Sequence, residues 1–302
     1  MSDQLATKPA PQAIADRWAE RLMNLIKAHG HVHLLLDRFN GLDERLRPLV
    51  DALPEQWPLT DPYFGEAIER TPLLVKLTMA QLPLLDQAAL VAAETALDPA
   101  MPPPNVCAWM CADVSTERLA GQLRTHLNLH MEGRKKSVYF CYFDPWVMQH
   151  LPRVLASTQL ARLLGHASLW ALPGRNGELL ELAKPEEPMA LHGGLRLNIE
   201  QARALERIDP LNASLRVLLA QGHRVPQTDN ARLDALIVQA QHLGLEEPDD
   251  QATYVALAYA WTAGHAALAA DERVMRGIEL ARAGLPLADY LRQNASITSD
   301  TP

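Results

Sequence analysis

The feature that most restricts this fold is a change of texture near residue 195. Before it, short apolar runs of strand length alternate with helical patterns; after it, helical patterns follow one another without a strand-like run between them. The runs are "HVHLLLD" (31–37), "PLLVKL" (72–77), "VCAWMCA" (106–112), "SVYFCYF" (137–143), "SLWAL" (168–172) and "LLEL" (179–182). Each is too short for a core helix and carries the aliphatic, β-branched or aromatic residues that fit a pleated surface. The chain therefore reads as an α/β protein: a mixed-sheet N-terminal lobe with flanking helices, followed by an α-helical C-terminal lobe. We place the lobes at 1–190 and 191–302, joined through "KPEEPMALHGG" (184–194), with a frayed polar tail, "NASITSDTP".

Local signals fix several elements. Ile14, Trp18, Leu22 and Ile26 recur every four residues, which predicts a helix from about Pro11 to Ala28, broken at Gly30. Ser115 is placed to cap "STERLAGQLRTHLNL", with Glu117 at its positive start and Leu119, Leu123 and Leu127 along one side. The unbroken apolar run "SVYFCYF" predicts a central strand covered on both faces. It ends at Asp144–Pro145, an N-cap acid followed by a residue whose ring already has the helical φ and which lacks the N–H a first turn leaves unpaired. "PGRNG" between "SLWAL" and "LLEL" predicts a hairpin. In the second lobe Asn198, Asp229 and Asp250 are expected N-caps, and Gly244 and Gly284 expected C-caps.

Composition excludes some classes of function. The net charge of −8 is spread along the chain, and its densest basic cluster, "GRKK" (133–136), reads as a solvated turn. A nucleic-acid surface needs clustered cations to displace counterions from phosphates, so no nucleic-acid partner is expected. The most apolar stretch, "YVALAYAWTAGHAALAA", is too short and too alanine-rich for a bilayer span and reads as a buried helix; no membrane partner is expected. The N-terminus lacks a basic start followed by an apolar run, and the three cysteines, Cys107, Cys111 and Cys141, sit in strand-like sequence, so the expected compartment is the cytoplasm.

The histidines are the first candidates for chemistry. Strand geometry would place His29, His31 and His33 on one face, and His31 and His33 with Asp37 are the candidate ligands of a metal-dependent hydrolase. "HLNLH" (His126, His130) has helical i, i+4 spacing but no acid between. There is no G-x-S-x-G elbow and no glycine-rich phosphate loop. We therefore expect no catalytic residue, no metal and no cofactor, and a protein that is not an enzyme; the hydrolase is the alternative.

Four segments in order, "HLLLD" (33–37), "PLLVKL" (72–77), "LAGQLRTHL" (119–127) and "YFCYFDPWV" (139–147), resemble the adaptor or chaperone family of bacterial type VI secretion. That family shows a strand ending in aliphatic–Asp, then P-x-L-V-x-L, then a helix with L-x-x-x-L-R, then a strand of the form FRxxDPRV leading into a helix. The resemblance covers roughly residues 30–170 and implies Asp37, Arg124, Asp144 and Pro145 as its structural motif. Cys141 and Trp146 depart from it, standing where the family commonly has arginine. The resemblance implies a cytoplasmic adaptor that holds a cognate effector toxin and loads it onto the C-terminal region of a VgrG-type spike. Arg124, Arg153 and Trp146 are candidate partner contacts, as are the small residues Ala260 and Gly264, which suit a groove for an amphipathic segment.

Overall fold

The computed structural model describes residues 10–186, 194–261 and 271–295. The chain is an α/β N-terminal lobe followed by a largely α-helical C-terminal lobe, and it divides into two compact units, Met1–Ala202 and Arg203–Pro302. Residues 187–193 of the expected linker lie outside the described residues.

The first unit opens with helix α1 (Pro11–His29), whose Ile14, Trp18, Leu22 and Ile26 are buried as their spacing requires. Gly30 closes it at φ 79°, a left-handed conformation that costs a side-chain-free residue little, and its N–H donates to Ile26 O. Strand β1 (Val32–Leu36) follows and is buried at every position. It is central: it pairs on one side with β3 (Leu73–Leu77) and on the other with β4 (Val106–Ala112), antiparallel in both cases. The two-residue strand β2 (Trp57–Pro58) flanks β3, and β7 (Ala167–Pro173) and β8 (Leu179–Ala183) follow β4. The six-stranded order is β2-β3-β1-β4-β7-β8, and every pairing in it is antiparallel.

Helices α1 and α3 (Leu82–Leu97) pack together, and the Trp18–Trp109 ring contact at 6.4 Å puts α1 on the sheet. α2 (Arg47–Asp51) is a short helix beside α3. On the opposite face stands α4 (Thr116–Thr125), capped as expected by the Ser115 side chain accepting from the Arg118 N–H. Its neighbour there is Tyr142, whose ring lies 6.2 Å from Trp170 and whose hydroxyl donates to Leu123 O.

The expected central strand at Ser137–Phe143 is a correction. Only Val138–Tyr139 (β6) is extended and paired; it lies in a separate three-stranded mixed sheet with β5 (Asn128–Met131) and β9 (Arg196–Leu197). Phe140, Tyr142 and Phe143 are buried as loop residues that fill the core beneath the large sheet. An apolar run reports burial, and burial does not require pairing. The Asp144–Pro145 turn forms as expected: the Trp146 N–H donates to Asp144 Oδ1 at 2.7 Å, starting α5 (Pro145–Met148). That helix is a single turn, continued by α6 (Leu151–Val154) and α7 (Ser157–Leu164).

Helix α8 (Ile199–Glu206) spans the boundary between units, and Asn198 caps it by accepting from the Gln201 N–H. In the second unit α9 (Ile208–Ala220), α10 (Asn230–His242) and α11 (Pro248–Ala260) pack on one another. α12 (Glu272–Arg282) and α13 (Leu287–Ala295) form a further pair. Gly244 and Gly284 stand at the expected helix ends. Two expected caps act elsewhere. Asp229 stands at the N-cap of α10 as expected, but its carboxylate accepts from the Tyr259 hydroxyl at 2.5 Å instead of from the helix, and Asp250, inside the first turn of α11, accepts from the Leu287 N–H at the start of α13. The carboxylate of one helix thus caps another, which local spacing does not reveal.

Candidate functional site

The two ends of β1 carry the groups that sequence reading singled out. At the N-terminal end, His33 is fully buried and its Nε2 lies 3.1 Å from the Thr116 hydroxyl on α4. His31 is half-buried, its ring 4.8 Å from that of His33. Burial, then the neighbouring charges of His31 and Lys76, push the His33 imidazole down to about 4. His29 does not share this face, because it is the last residue of α1, beyond which Gly30 turns the chain. Asp37 does not join them either: four residues along a strand is ~13 Å, too far to share one ion. Among the described residues no group of three or more His, Cys, Asp and Glu side chains is placed to hold a metal. "HLNLH" is split as well. His126 ends α4 buried, pushed down to about 4 by that burial, while His130 is exposed on β5.

The C-terminal end of β1 gathers residues from four distant segments. Asp37 accepts from the Phe39 N–H at 2.9 Å, and its main chain is held by Asn105 through both N–H and C=O. Burial raises the Asp37 carboxyl above the usual carboxylate range. Asp144, the N-cap of α5, is pushed up to about 7, first by burial, with the charge of Asp37 adding to it. Both aspartates of the resemblance motif are thus raised chiefly by burial, the Asp37 charge adding to it at Asp144. Cys141 is exposed as a residue, yet desolvation of its thiol, then the charges of Asp144 and Asp37, push it up to about 12. A thiol held that far from ionisation is a poor nucleophile. Cys107 and Cys111 are buried in β4.

Beside this acidic corner lies a chain of rings. Phe39 meets Phe64 at 6.3 Å, Phe64 meets Tyr63 at 5.3 Å and Tyr139 at 5.2 Å, and Tyr63 stacks on Tyr139 at 4.5 Å with planes 10° apart. The Arg70 guanidinium sits 4.3 Å over the Phe39 ring. Arg38 ties the cluster to the sheet by donating to Thr71 O and Ile68 O. The cluster is open: Tyr63 is 61% exposed, Ile68 51% and Phe39 39%. Sequence reasoning missed it entirely. Its members come from positions 38–39, 63–70 and 139, and no spacing rule joins them.

The candidate contacts divide differently. Trp146 is buried, with its indole N–H donating to Pro102 O at 3.2 Å, so it braces the loop before β4. Arg124 is half-buried on α4 and reaches back to Ala120 O in its own helix; Arg153 is half-buried on α6. Ala260 is exposed at the end of α11, and Gly264 lies outside the described residues, as does most of the expected buried helix beyond Trp261. No described helix is long and apolar enough to cross a membrane. Comparison with protein-family models, with curated proteins and with solved structures gives no match for this chain.

Proposed function

We propose that this protein is a cytoplasmic adaptor that binds a type VI secretion effector and delivers it to the C-terminal region of a VgrG-type spike. The resemblance of four ordered segments supplies the identity of the partners. The observation that carries the reading is the open aromatic–arginine cluster of Phe39, Tyr63, Phe64, Tyr139 and Arg70 at the end of the first motif strand. Aromatic and arginine side chains dominate the energetics of protein interfaces, and exposed large apolar groups in contact with one another mark such surfaces. Asp37 and Asp144 shape the rim of that surface by fixing turns, and the reading gives neither a catalytic role.

The test is co-expression of the full chain with a cognate effector toxin and with the spike's C-terminal extension. Stable complexes with both, one of them lost in Tyr63→Ala at unchanged folding, is the expected result. Absence of any complex with either partner overturns the reading. The hydrolase alternative is supported by the His31–His33 ring contact and would need ligands other than Asp37. Stoichiometric zinc or manganese in the purified protein would favour it.

A further inference from the structure

The six-stranded sheet ends very differently on its two sides. On one side β2 is two residues long and contains Pro58, which has no N–H to offer, so that edge is closed to further pairing. On the other side β8 is five residues of "LLELA" without proline, lysine or a bulge. The bonds that flank its pairing with β7 fix which way its backbone points. Gly174 N–H donates to Glu178 O and Lys184 N–H to Ser168 O, so the bonded partners of β7 are the even-numbered residues of β8. The N–H and C=O groups of Leu179, Glu181 and Ala183 therefore point away from β7, and among the described residues no strand pairs with them.

This edge is tied to α1. Gly177 turns the β7–β8 hairpin at φ 81° with Ile14 of α1 where a Cβ would sit, and Arg21 of α1 makes a two-bond ion pair with Glu181, 2.6 and 2.9 Å. The two faces of β8 also differ. Glu181 shares the α1 face, and Leu182, paired with Trp170, shares the Tyr142 face with Leu180, both half-buried at the rim of the core.

We propose that β8 is a docking edge that takes up an extended segment of another polypeptide as a seventh strand. Outward N–H and C=O groups at every second residue recognise one kind of ligand, a β-strand backbone. The side chains add its chemistry: apolar residues at alternate positions to cover Leu180 and Leu182, and basic or neutral ones between them beside Glu181. A second copy of this chain does not fit that description. Antiparallel self-pairing over the whole of β8 sets Glu181 opposite Glu181, and like charges facing across a ladder are destabilising. The inference rests on the adaptor reading only for the identity of the partner.

The experiment follows amide hydrogen exchange by NMR in the full chain, with and without a capped synthetic peptide, valine–lysine–valine–threonine–valine–lysine–valine. In the free protein Leu180 and Leu182 are expected to exchange slowly and Leu179, Glu181 and Ala183 fast. Saturating peptide is expected to slow the latter three at least tenfold. Ala183→Pro removes an outward N–H without touching the β7 ladder, and is expected to abolish that protection. Glu181→Lys keeps every backbone donor and is expected to weaken peptide binding at least fivefold, so the inference stands or falls even if the proline variant does not fold. Three amides already protected in the free chain would mean that the edge is covered by its own polypeptide, and would overturn the inference. So would a peptide that leaves them unchanged, or protection that survives Ala183→Pro in a folded protein. Failure of toxin and spike to co-purify, with peptide binding intact, would count against the adaptor reading alone.

Discussion

At its N-terminal end β1 carries a fully buried base, His33; at its C-terminal end it leads to two half-buried acids, Asp37 and Asp144. One physical cause acts on both. Removal from water penalises whichever form is charged, so the imidazole is driven down and the carboxyls are driven up. The consequences for stability have opposite signs. For His33, the unfolded chain takes up a proton near pH 6.5 that the native protein refuses until about pH 4, so stability is lost as pH falls through that window. For Asp144, the native protein holds a proton up to about pH 7 that the unfolded chain releases near pH 3.8, so stability is lost as pH rises through that window. The two ends of one strand thus oppose each other between pH 4 and 7.

The sharpest way to break this balance is Asp144→Asn. Asparagine caps a helix as well as aspartate does, so the turn survives while the titration disappears. A shift of about three pK units corresponds to roughly 4 kcal/mol, which sets the upper limit of the gain at pH 8 relative to pH 3. The variant is expected to be clearly more stable than the parent in urea at pH 8 and to lose the part of the fall between pH 4 and 7 that Asp144 contributes, the raised Asp37 carboxyl leaving a smaller fall of the same sign. An unchanged limb would show that Asp144 is ionised in the native protein.

His33→Leu tests the other end. It removes the buried imidazole and is expected to abolish the acid-side loss that His33 contributes, about 3 kcal/mol between pH 6.5 and 4. His126 carries a loss of the same sign and remains, so a residual acid slope is part of the expectation. Urea midpoints at pH 5 and pH 7.5 read the difference; equal slopes in parent and variant would refute the assignment.

Thr116→Val is a smaller test of the same end. It deletes the hydroxyl that meets His33 Nε2 at 3.1 Å and keeps the shape, for an expected loss of about 1 kcal/mol at pH 7.5. A loss several times larger would mean that the hydroxyl also holds the start of α4.

What was legible in the sequence follows the same division between local and distant causes. β1, β3, β4 and the β7–β8 hairpin were readable because each is a short apolar run bounded by a turn, and α1 because its period is long enough to be unambiguous. The Ser115 and Asp144 caps were readable because donor and acceptor lie two or three residues apart. Asp250 was not, since the N–H it accepts from lies 37 residues away. Residues 137–143 misled because a loop packed beneath a sheet is as apolar as a strand within it. The period of two that joins His31 and His33 does not extend to His29, because α1 ends there and the backbone changes hand at Gly30. Asp37 was legible as a strand end, but its approach to Asp144 and the rings around it depend on segments that only the fold assembles.

Tyr63→Ala is the smallest perturbation of the fold and the one that separates scaffold from surface at the acidic end. Tyr63 is stacked on Tyr139 but largely open to solvent, so truncation forfeits one ring contact and little burial, an expected loss of about 1 kcal/mol or less. If the ring cluster is a docking surface, that same truncation is expected to weaken partner binding by 2 kcal/mol or more, roughly thirtyfold, as the loss of an interface anchor does. The ratio of the two effects is the measurement, taken as a urea midpoint beside a binding isotherm on the same variant. A stability loss that equals or exceeds the binding loss would make the rings a rim of the core, and the acidic end of β1 would then have no surface function to set against the structural one at His33.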